Sequence, residues 1–280
     1  MDKPTPDDRA FVRSLVREQS GMVLGEDKQY LIDARLRALA QEEALNSIHE
    51  LAFRLRTPSE SRLRRSLVEQ LLVGETYFFR DGHPFEALRS TILPALLAAR
   101  APDTPLSLWC AAASTGQEPY SLAMLLADSF PDLWNGSVRL FATDLSDAHL
   151  ARARAGWYSE MEVARGLPEA LRARYSQREG DGYRMHAALR RRIEFAQLNL
   201  IRDWPTIPTM DLVLMRNVLV YFDSATRTTI LQKLRRVMRP GGYLLLGTTE
   251  TLIEAVSGFA PLRVGPTVFY QRERQFGSSS

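Results

Sequence analysis

Cysteine is almost absent from this sequence of 280 residues, in which Cys110 is the single one. One cysteine cannot form a disulfide within the chain, and it excludes zinc sites built from several cysteines. The histidines, at positions 49, 83, 149 and 186, lie far apart, and none has the HxxxH spacing of a helical metal site. We therefore expect no bound metal and a reducing, cytoplasmic setting.

Long apolar runs are missing as well. No run approaches the ~18 residues that a membrane helix needs. The opening residues 1–4 have neither the basic flank nor the apolar core of a signal peptide. With 45% hydrophobic and 25% charged residues, the composition is typical of a globular protein without membrane insertion. The length predicts one large domain or two unequal ones.

A strong charge imbalance is also absent, because 36 basic and 33 acidic residues leave a net charge of +3. That small excess is a weak argument for binding nucleic acid. The distribution is uneven: the net charge is −1 over residues 1–75, −4 over 76–148, and +4 over each of 149–195 and 196–280. The basic surplus therefore lies in the second half.

The first 75 residues have a helical periodicity. Asp7 and Asp8 are candidate caps of a helix whose apolar positions are Phe11, Leu15 and Val16. Leucines at helical spacing recur further along this segment, without the alternation of a strand. The sequence predicts an all-α N-terminal domain and linker over residues 1–75.

From Leu106 onward, strand and helix patterns alternate. Apolar strands are predicted at 106–110, 138–144, 211–215, 243–247 and 264–270, and helices at 119–130, 147–155 and 224–238. This alternation predicts an α/β domain with a mostly parallel sheet over residues 76–276. Ligands of such sheets bind at the carboxyl ends of the strands.

Two stretches fit that alternation poorly. Residues 167–198 contain a candidate hairpin that turns at Gly180 and Gly182, and we predict a small β-subdomain there. Residues 277–280 are of low complexity and predict a disordered tail.

Three features of the α/β segment indicate a nucleotide-type cofactor. One is the step 239–242 (RPGG) before a late apolar strand, which resembles a step near the end of many S-adenosylmethionine-dependent methyltransferases. The small residues of the loop 110–116 allow backbone amides to approach a ligand, although a tight turn without a ligand has the same pattern. Asp144 ends the next strand, where a carboxylate can accept hydrogen bonds from a ribose, although a helix cap is the alternative. The loop is not GxGxxG, which argues against a dinucleotide. S-adenosylmethionine has no phosphate, and Glu118 is placed to meet its positive charges.

Three stretches resemble motifs of one family, the CheR chemoreceptor glutamate O-methyltransferases. They are Gly74–Asp81 (GETYFFRD), Trp109–Ser121 (WCAAASTGQEPYS) and Arg216–Asp223 (RNVLVYFD). The resemblance implies a class I, Rossmann-like methyltransferase fold with a small β-subdomain insertion, preceded by an all-α domain.

The resemblance also implies a site. Its catalytic residues would be Arg80 and Tyr221, with Tyr221 beside the transferring methyl and Arg80 orienting the acceptor. The cofactor would be bound by Thr76, Arg80, Glu118, Asp144, Asn199, Leu200, Arg216 and Asn217. Gly74 is a departure, because the family often has Asn at that position, and we leave Gly74 out of the site.

The implied substrate is the cytoplasmic helical bundle of a chemoreceptor, whose acidic surface would suit basic docking residues. Candidates are Arg35, Arg37, Arg190, Arg191 and Arg192, each with a solvated charge as the alternative. The short loop 179–182 favours a member that does not need a tethering peptide at the receptor's C-terminus. The products would be glutamyl methyl esters and S-adenosylhomocysteine.

Two other functions compete with this interpretation. A nucleic-acid methyltransferase would suit the pI of 9.1, but residues 216–219 (RNVL) lack the [DN]-P-P-[YF] motif, and Cys110 is not preceded by proline. A non-catalytic module that senses the cofactor would keep the same fold. The complete set of catalytic and cofactor residues argues against it.

Overall fold

The chain divides into two compact units. The computed structural model describes residues 2–101, 104–252 and 258–274. The first unit comprises the residues up to Val73 together with Val220–Arg227, and the second comprises Gly74–Leu219 and the residues from Thr228 onward.

The first unit is helical, as the sequence predicts. Its helices are α1 (Pro6–Ser20), α2 (Gln29–Glu42), α3 (Ile48–Arg56) and α4 (Ser61–Leu71). Their apolar faces bury a common core that includes Val16, Ile32, Leu51 and Leu67. Such amphipathic helices gain most of their stability from this burial.

The cap of α1 differs from the predicted one. Thr5 is the N-cap, and its hydroxyl accepts the N–H of Asp8 at 3.1 Å while the Asp8 carboxylate accepts the N–H of Thr5 at 3.0 Å. Asp8 is therefore the third helical residue of a reciprocal capping box, and Asp7 is in the first turn.

A short segment from the second half of the sequence completes the first unit. Met22 forms an isolated antiparallel bridge with Phe222, and the N–H of Val23 donates to the carbonyl of Tyr221 at 2.8 Å. The Tyr221 side chain packs against the core of the four helices.

The second unit is built on a large sheet. Its strands within the described residues are β1 (Leu106–Ala111), β2 (Val138–Asp144), β6 (Ile193–Gln197), β7 (Met210–Met215), β8 (Met238–Leu246), β9 (Phe259–Val264) and β10 (Thr267–Arg272). Their order is β6-β2-β1-β7-β8-β10-β9. The first five are parallel, and β10 is antiparallel to both β8 and β9.

Helices connect these strands. They are α5 (His83–Ala87), α6 (Leu93–Ala98), α7 (Gln117–Ser129), α8 (Pro131–Asn135), α9 (Asp147–Ala155), α10 (Glu160–Ala164), α11 (Glu169–Tyr175), α12 (Ala187–Arg190) and α13 (Ser224–Val237). A π-helix, Leu88–Ile92, joins α5 to α6, and 3-10 helices cover Glu26–Lys28 and Leu219–Tyr221.

The central strands explain why the sheet is largely parallel. Every residue of β1 and β7 is buried, as expected for strands with both faces covered by crossover connections. The predicted α/β class with a mostly parallel sheet is confirmed.

The small sheet has different bounds from the predicted subdomain. Its strands are β3 (Trp157–Ser159), β4 (Ser176–Glu179) and β5 (Gly182–Met185), in the order β3-β5-β4. The hairpin predicted at the glycines is present between β4 and β5. The segment β6, which we placed within residues 167–198, instead pairs with β2 in the large sheet, with Ile193 opposite Leu140.

Two further predictions about strands need correction. Residues 239–242 do not form a turn between helix and strand, because β8 already begins at Met238, with an irregular register between Met210 and Leu212. The strand predicted at 264–270 is a hairpin of β9 and β10 that turns at Gly265.

Within the described ranges, no helix is long and apolar enough to cross a membrane. The predicted disordered tail, 277–280, lies outside the described residues.

Candidate functional site

The loop between β1 and α7 is held tightly against the end of β2. The N–H of Ser114 donates to the Asp144 carboxylate at 2.7 Å. Gly116 has a φ of 98°, and a Cβ there would lie 2.8 Å from the Cβ of Ala153 and 2.9 Å from the hydroxyl of Tyr158. Glycine at position 116 is therefore required by close packing as well as by backbone conformation.

Left-handed backbone is concentrated around this edge of the sheet. Six non-glycine residues of the described chain have positive φ, and five of them belong to the second unit. These five are Phe79, Asp81, Ala112, Ser114 and Asn217. Each such residue costs roughly 1–3 kcal/mol, and such strain typically persists at functional sites.

Asp144 is 8% exposed at the end of β2 and is held by the backbone that follows it. One carboxylate oxygen accepts the N–H of Ser146 at 3.0 Å, and the other accepts that of Ser114. His149 Nδ1 lies 3.5 Å from the first oxygen. A carboxylate oxygen has two lone pairs, so this carboxylate can still accept hydrogen bonds from a ligand.

The segment that precedes α5 passes over the same loop. The Ser114 hydroxyl donates to the carbonyl of Gly74 at 2.8 Å. A Cβ at Gly74 would lie 2.7 Å from Cε1 of His149, so an asparagine, which the resembling family often has there, would require His149 to move.

A cavity of about 460 Å³ lies beside this segment. Its lining residues all belong to the second unit: Gly74, Glu75, Thr76, Tyr77, Thr115, Gln117, Ala148, His149, Arg152, Met161, Glu162 and Arg165. This volume is within the usual range of small-molecule sites. Of the predicted site residues, Thr76 lines it directly, and Asp144 is linked to it through His149.

Arg216 is a buried cation at the centre of a charged network. Its Nη2 lies 2.6 Å from Asp81 and donates to the carbonyl of Arg80 at 3.0 Å, while its Nη1 lies 3.1 Å from Glu118. The structure thus brings Glu118, Arg216 and the backbone of Arg80 together. Asp81 was missed, although it is the last residue of the first motif.

Burial dominates the electrostatics of this network. Desolvation raises the pKa of Glu118 in spite of the neighbouring Arg216. Burial, reinforced by the charge of Glu118, also raises the pKa of the Cys110 thiol well above its usual value. Cys110 therefore remains protonated and is not a nucleophile at neutral pH.

The Arg80 guanidinium is held by its own segment. It donates to the carbonyl of Glu75 at 3.0 Å and lies over the ring of Tyr77, 5.4 Å from the centroid. The neighbouring Asp81 carboxylate forms its ion pair with Arg216.

Asn217 follows β7 with a φ of 59°. Its backbone N–H donates to the Glu250 carboxylate at 2.7 Å. Its side-chain oxygen Oδ1 is buried without a hydrogen-bond partner, which is unusual for a buried polar atom. Glu250 was missed by sequence reasoning, since nothing in its neighbourhood marks it as more than a surface acid.

Asn199 and Leu200 follow β6 at the same edge of the sheet. The Asn199 side-chain oxygen accepts the N–H of Ile201 at 3.1 Å, which forms a tight turn. The Leu200 side chain is buried, and its carbonyl accepts the indole N–H of Trp204 at 3.2 Å. The side chain of Asn199 therefore already has one backbone partner.

The other predicted residues lie elsewhere. Tyr221 belongs to the first unit, as do Arg35 and Arg37, which are exposed on α2. Arg191 is exposed in the second unit.

Arg190 and Arg192 are engaged within the second unit. Arg190 donates to the carbonyl of Ala155 at 3.5 Å. Arg192 donates to the carbonyl of Trp134 and lies over its ring at 5.1 Å. Of the three consecutive arginines, Arg191 is thus the one best placed to meet a partner.

The donor set fits the predicted cofactor. S-adenosylmethionine carries sulfonium and ammonium cations, a carboxylate and a ribose diol. Glu118 and Asp81 supply two carboxylates beside one buried cation, Arg216, and Asp144 supplies a third at the end of β2. Asn217 Oδ1 adds an acceptor that has no partner within the chain. Among the residues that the structure describes, no group of His, Cys, Asp and Glu could hold a metal ion.

Two family models match the chain. One, the CheR methyltransferase all-alpha domain, matches residues 7–72, and the other, the CheR methyltransferase SAM binding domain, matches residues 74–265. Together they cover most of the sequence and leave only short ends unmatched.

Curated relatives match over nearly the whole length. The chain is 37% identical over 270 residues to chemotaxis protein methyltransferase 1 of Pseudomonas aeruginosa, which covers 94% of this chain and 97% of the relative. It is 35% identical over 267 residues to chemotaxis protein methyltransferase 1 of Vibrio cholerae (94% and 95%). It is 34% identical over 264 residues to chemotaxis protein methyltransferase Cher2 of Pseudomonas putida (92% and 95%).

Proposed function

The chain belongs to the CheR methyltransferase family, and on that premise we propose that it methylates glutamate side chains on the cytoplasmic domain of chemoreceptors. The resemblance found in the sequence is confirmed, as are the methyltransferase fold and the S-adenosylmethionine cofactor. The products would be glutamyl methyl esters and S-adenosylhomocysteine, and the enzyme would act in adaptation of chemosensory signalling in the cytoplasm.

A carboxylate acceptor suits the chemistry of this site. When bound, S-adenosylmethionine supplies a methyl group activated by the sulfonium charge. A glutamate has an ordinary pKa of ~4.3, so at neutral pH it is already an anion and needs no general base. Cys110 is held protonated, which is consistent with direct transfer to a substrate carboxylate. The chain's contribution is then to align the reactants and exclude water.

The residues at the carboxyl ends of the strands would hold the cofactor. Asp144 would accept the ribose hydroxyls, Glu118 would meet the positively charged amino acid portion, and Asn217 would use its unpaired Oδ1. Thr76, Arg80, Asn199, Leu200 and Arg216 would complete the pocket. The observation that carries this assignment is that two carboxylates, Glu118 and Asp81, contact the single buried cation Arg216, and the excess negative charge suits a cationic ligand.

Arg80 and Tyr221 would act at the transfer itself. The guanidinium of Arg80 is pre-oriented by Glu75 and Tyr77, which reduces the cost of placing it against an acceptor carboxylate. The backbone of Tyr221 is fixed by its hydrogen bond with Val23. We assign Arg80 to orienting the acceptor and Tyr221 to the space beside the methyl group.

Docking would use exposed arginines against an acidic receptor bundle. Arg35 and Arg37 on α2, and Arg191 after α12, have the required exposure and charge. Arg190 and Arg192 would contribute less, because each contacts the chain itself. The tight β4–β5 hairpin supports an enzyme that needs no tethering peptide.

Methyl transfer to a receptor fragment tests the proposal. Radiolabelled S-adenosylmethionine is incubated with the protein and a purified receptor cytoplasmic domain, and mild base is then added. We expect label that base releases as methanol, with a loss of at least tenfold in Arg80→Ala and in Asp144→Ala. Arg89→Ala, an exposed arginine paired with Glu86, is the matched control.

Three outcomes would contradict parts of the proposal. Label that resists base would place the acceptor on nitrogen or carbon. Cofactor binding without any transfer, across a panel of receptors, would favour a sensing module. Transfer that requires the receptor's C-terminal tail would refute independence from a tether.

A further inference from the structure

One buried carboxylate joins the ends of two neighbouring parallel strands. Glu250 is 7% exposed, and its Oε2 accepts the backbone N–H groups of Asn217 and Gly247, both at 2.7 Å. Asn217 lies just beyond β7 and Gly247 just beyond β8, and these strands are adjacent in the sheet. The carboxylate therefore lies at the strand edge where the cofactor site is.

The contact supports a strained conformation. Asn217 has a left-handed backbone, which a non-glycine residue keeps only when its surroundings enforce it. Hydrogen bonds from N–H groups to an ionised carboxylate are among the stronger ones in proteins. The Glu250 bond therefore fixes the direction in which the side chain of Asn217 leaves the backbone.

Gly247 leaves room for this arrangement. A Cβ at this position would lie 2.7 Å from Glu250 Oε2 and 2.8 Å from both the backbone nitrogen and Nδ2 of Asn217. Real Cβ atoms are not found so close to other atoms, so any other residue would displace the carboxylate or the asparagine. Glu250, Gly247 and Asn217 thus form one unit, which we call the strand-end clamp.

The clamp orients the Asn217 side chain, whose amide oxygen makes no hydrogen bond within the chain. Asn217 Oδ1 is buried without a hydrogen-bond partner in the chain, so a ligand donor would complete it. We propose that Glu250 is a positioning residue of the cofactor pocket, which acts by holding Asn217 and not by touching the ligand. This inference rests on the proposed role of Asn217 in binding S-adenosylmethionine.

Binding of cofactor and product to the full chain tests the clamp. Calorimetry would measure the Kd of S-adenosylmethionine and of S-adenosylhomocysteine for Glu250→Leu, Glu250→Gln and Asn217→Ala. Leucine removes the acceptor at similar volume, and we expect about tenfold weaker binding of both ligands. Glutamine keeps a side-chain oxygen for the two N–H groups, so it should restore most of the affinity.

A double variant identifies the route of the effect. If Glu250 acts through Asn217, Asn217→Ala combined with Glu250→Leu should bind no more weakly than Asn217→Ala alone. Additive losses would overturn the proposal, as would wild-type affinity in Glu250→Leu. Gly247→Ala should weaken binding similarly, and normal affinity there would count against the clamp.

The failure modes are separable. Glu250→Leu must first show a cooperative thermal unfolding transition without ligand. If it does not fold, the affinities of Glu250→Gln and Gly247→Ala test the clamp instead. The clamp predicts affinity near that of wild type in Glu250→Gln and weaker binding in Gly247→Ala. Wild-type affinity in Asn217→Ala would overturn the clamp together with the role of Asn217. Loss of affinity in Asn217→Ala but not in Glu250→Leu or Gly247→Ala would overturn the clamp alone. Neither result depends on methyl transfer to a receptor.

Discussion

Burial of the Glu118 carboxylate costs stability, yet the same carboxylate is a proposed ligand of the cofactor. Glu118 is 9% exposed in the second unit, and desolvation raises its pKa although Arg216 is 3.1 Å away. Burying a carboxylate in this way costs free energy unless a partner compensates it. A cationic ligand would provide part of that compensation, so binding should relieve a penalty that the free protein bears.

The pH dependence of stability follows from that raised pKa. The folded protein binds this proton more tightly than the unfolded chain, so the stability that Glu118 contributes at low pH is lost as the pH rises above 4.5 through the raised value. Glu118→Gln removes the titration. The free energy of unfolding of wild type minus that of the variant should therefore decrease as the pH rises above 4.5, as measured by urea unfolding.

Glu86→Gln provides a control of opposite sign. The hydrogen bond with Arg89 lowers the pKa of Glu86, so its contribution to stability is present above 4.5 and is lost as the pH falls. The corresponding difference for Glu86 should not decrease toward neutral pH. A difference for Glu118 that stays flat or increases with pH would show that its carboxyl is not penalised by burial.

At this scale, the sequence predicted residues that stand inside motifs and missed those that support them. Glu118, Asp144 and Arg216 were predicted as site residues because each stands at a strand end or within a recognisable stretch. Glu250 was not, because its importance depends on two backbone N–H groups that only the folded sheet brings within 2.7 Å. Such a contact leaves no periodic trace in the sequence.

At the scale of elements, the residue before α13 is an aspartate with two roles. Asp223 precedes the helix, accepts the N–H of Thr226 at 2.9 Å and pairs with Arg17 at 2.6 Å. The hydrogen bonds with Thr226 and the Arg17 charge lower the pKa of Asp223 to about 2. Its contribution to stability is therefore present above the ordinary value of 3.8 and is lost as the pH falls toward about 2.

Replacement of this cap should destabilise the protein in a pH-dependent way. We expect Asp223→Ala to lower the midpoint of thermal unfolding by about 2–4 °C at pH 7, and the difference from wild type should shrink as the pH approaches 2. Asp223→Asn keeps an oxygen for Thr226 and should retain most of the stability. An equal loss in both variants would assign the effect to the Arg17 ion pair.

The elements themselves were predictable where periodicity was strong. The strands β1, β2 and β7 and the helices α7, α9 and α13 were found because burial imposes a clear apolar pattern on them. The strand β6 was assigned to the wrong sheet, since its alternation fits any half-buried strand and its pairing with β2 is set only by the fold. The segment 239–242 was predicted to lie outside a strand, but it belongs to β8. The pairing of β7 with β8 has an irregular register there, which the sequence does not indicate.

At the scale of the whole molecule, charge should govern encounter with the receptor. Charge reversal in Arg35→Glu or Arg37→Glu should raise the KM for an acidic receptor fragment about three- to tenfold and leave kcat unchanged. The effect should diminish with added salt, because exposed charges are screened. The control is Arg65→Glu, which makes the same change in net charge at an exposed arginine on another helix, α4.

Initial rates at several receptor and salt concentrations measure the KM and kcat of each variant. An equal rise of KM in all three variants would indicate a general effect of net charge, and a fall in kcat alone would exclude docking as their role.

The change of pattern near residue 75 allowed the sequence to predict two parts of the chain with a boundary there. The return of Val220–Arg227 to the first unit was not predictable, because it depends on contacts between distant parts of the sequence.

That return limits how this architecture can be shuffled by recombination. A single crossover between codons 73 and 74 would transfer the helical unit to another methyltransferase domain, yet it would leave behind the segment that bridges Met22 and bonds Val23. A chimera that takes residues up to Val73 from a distant relative would need Val220–Arg227 from the same parent to rebuild the unit. The residues up to Val73 and the segment Val220–Arg227 should therefore be exchanged together, because the helical unit needs both.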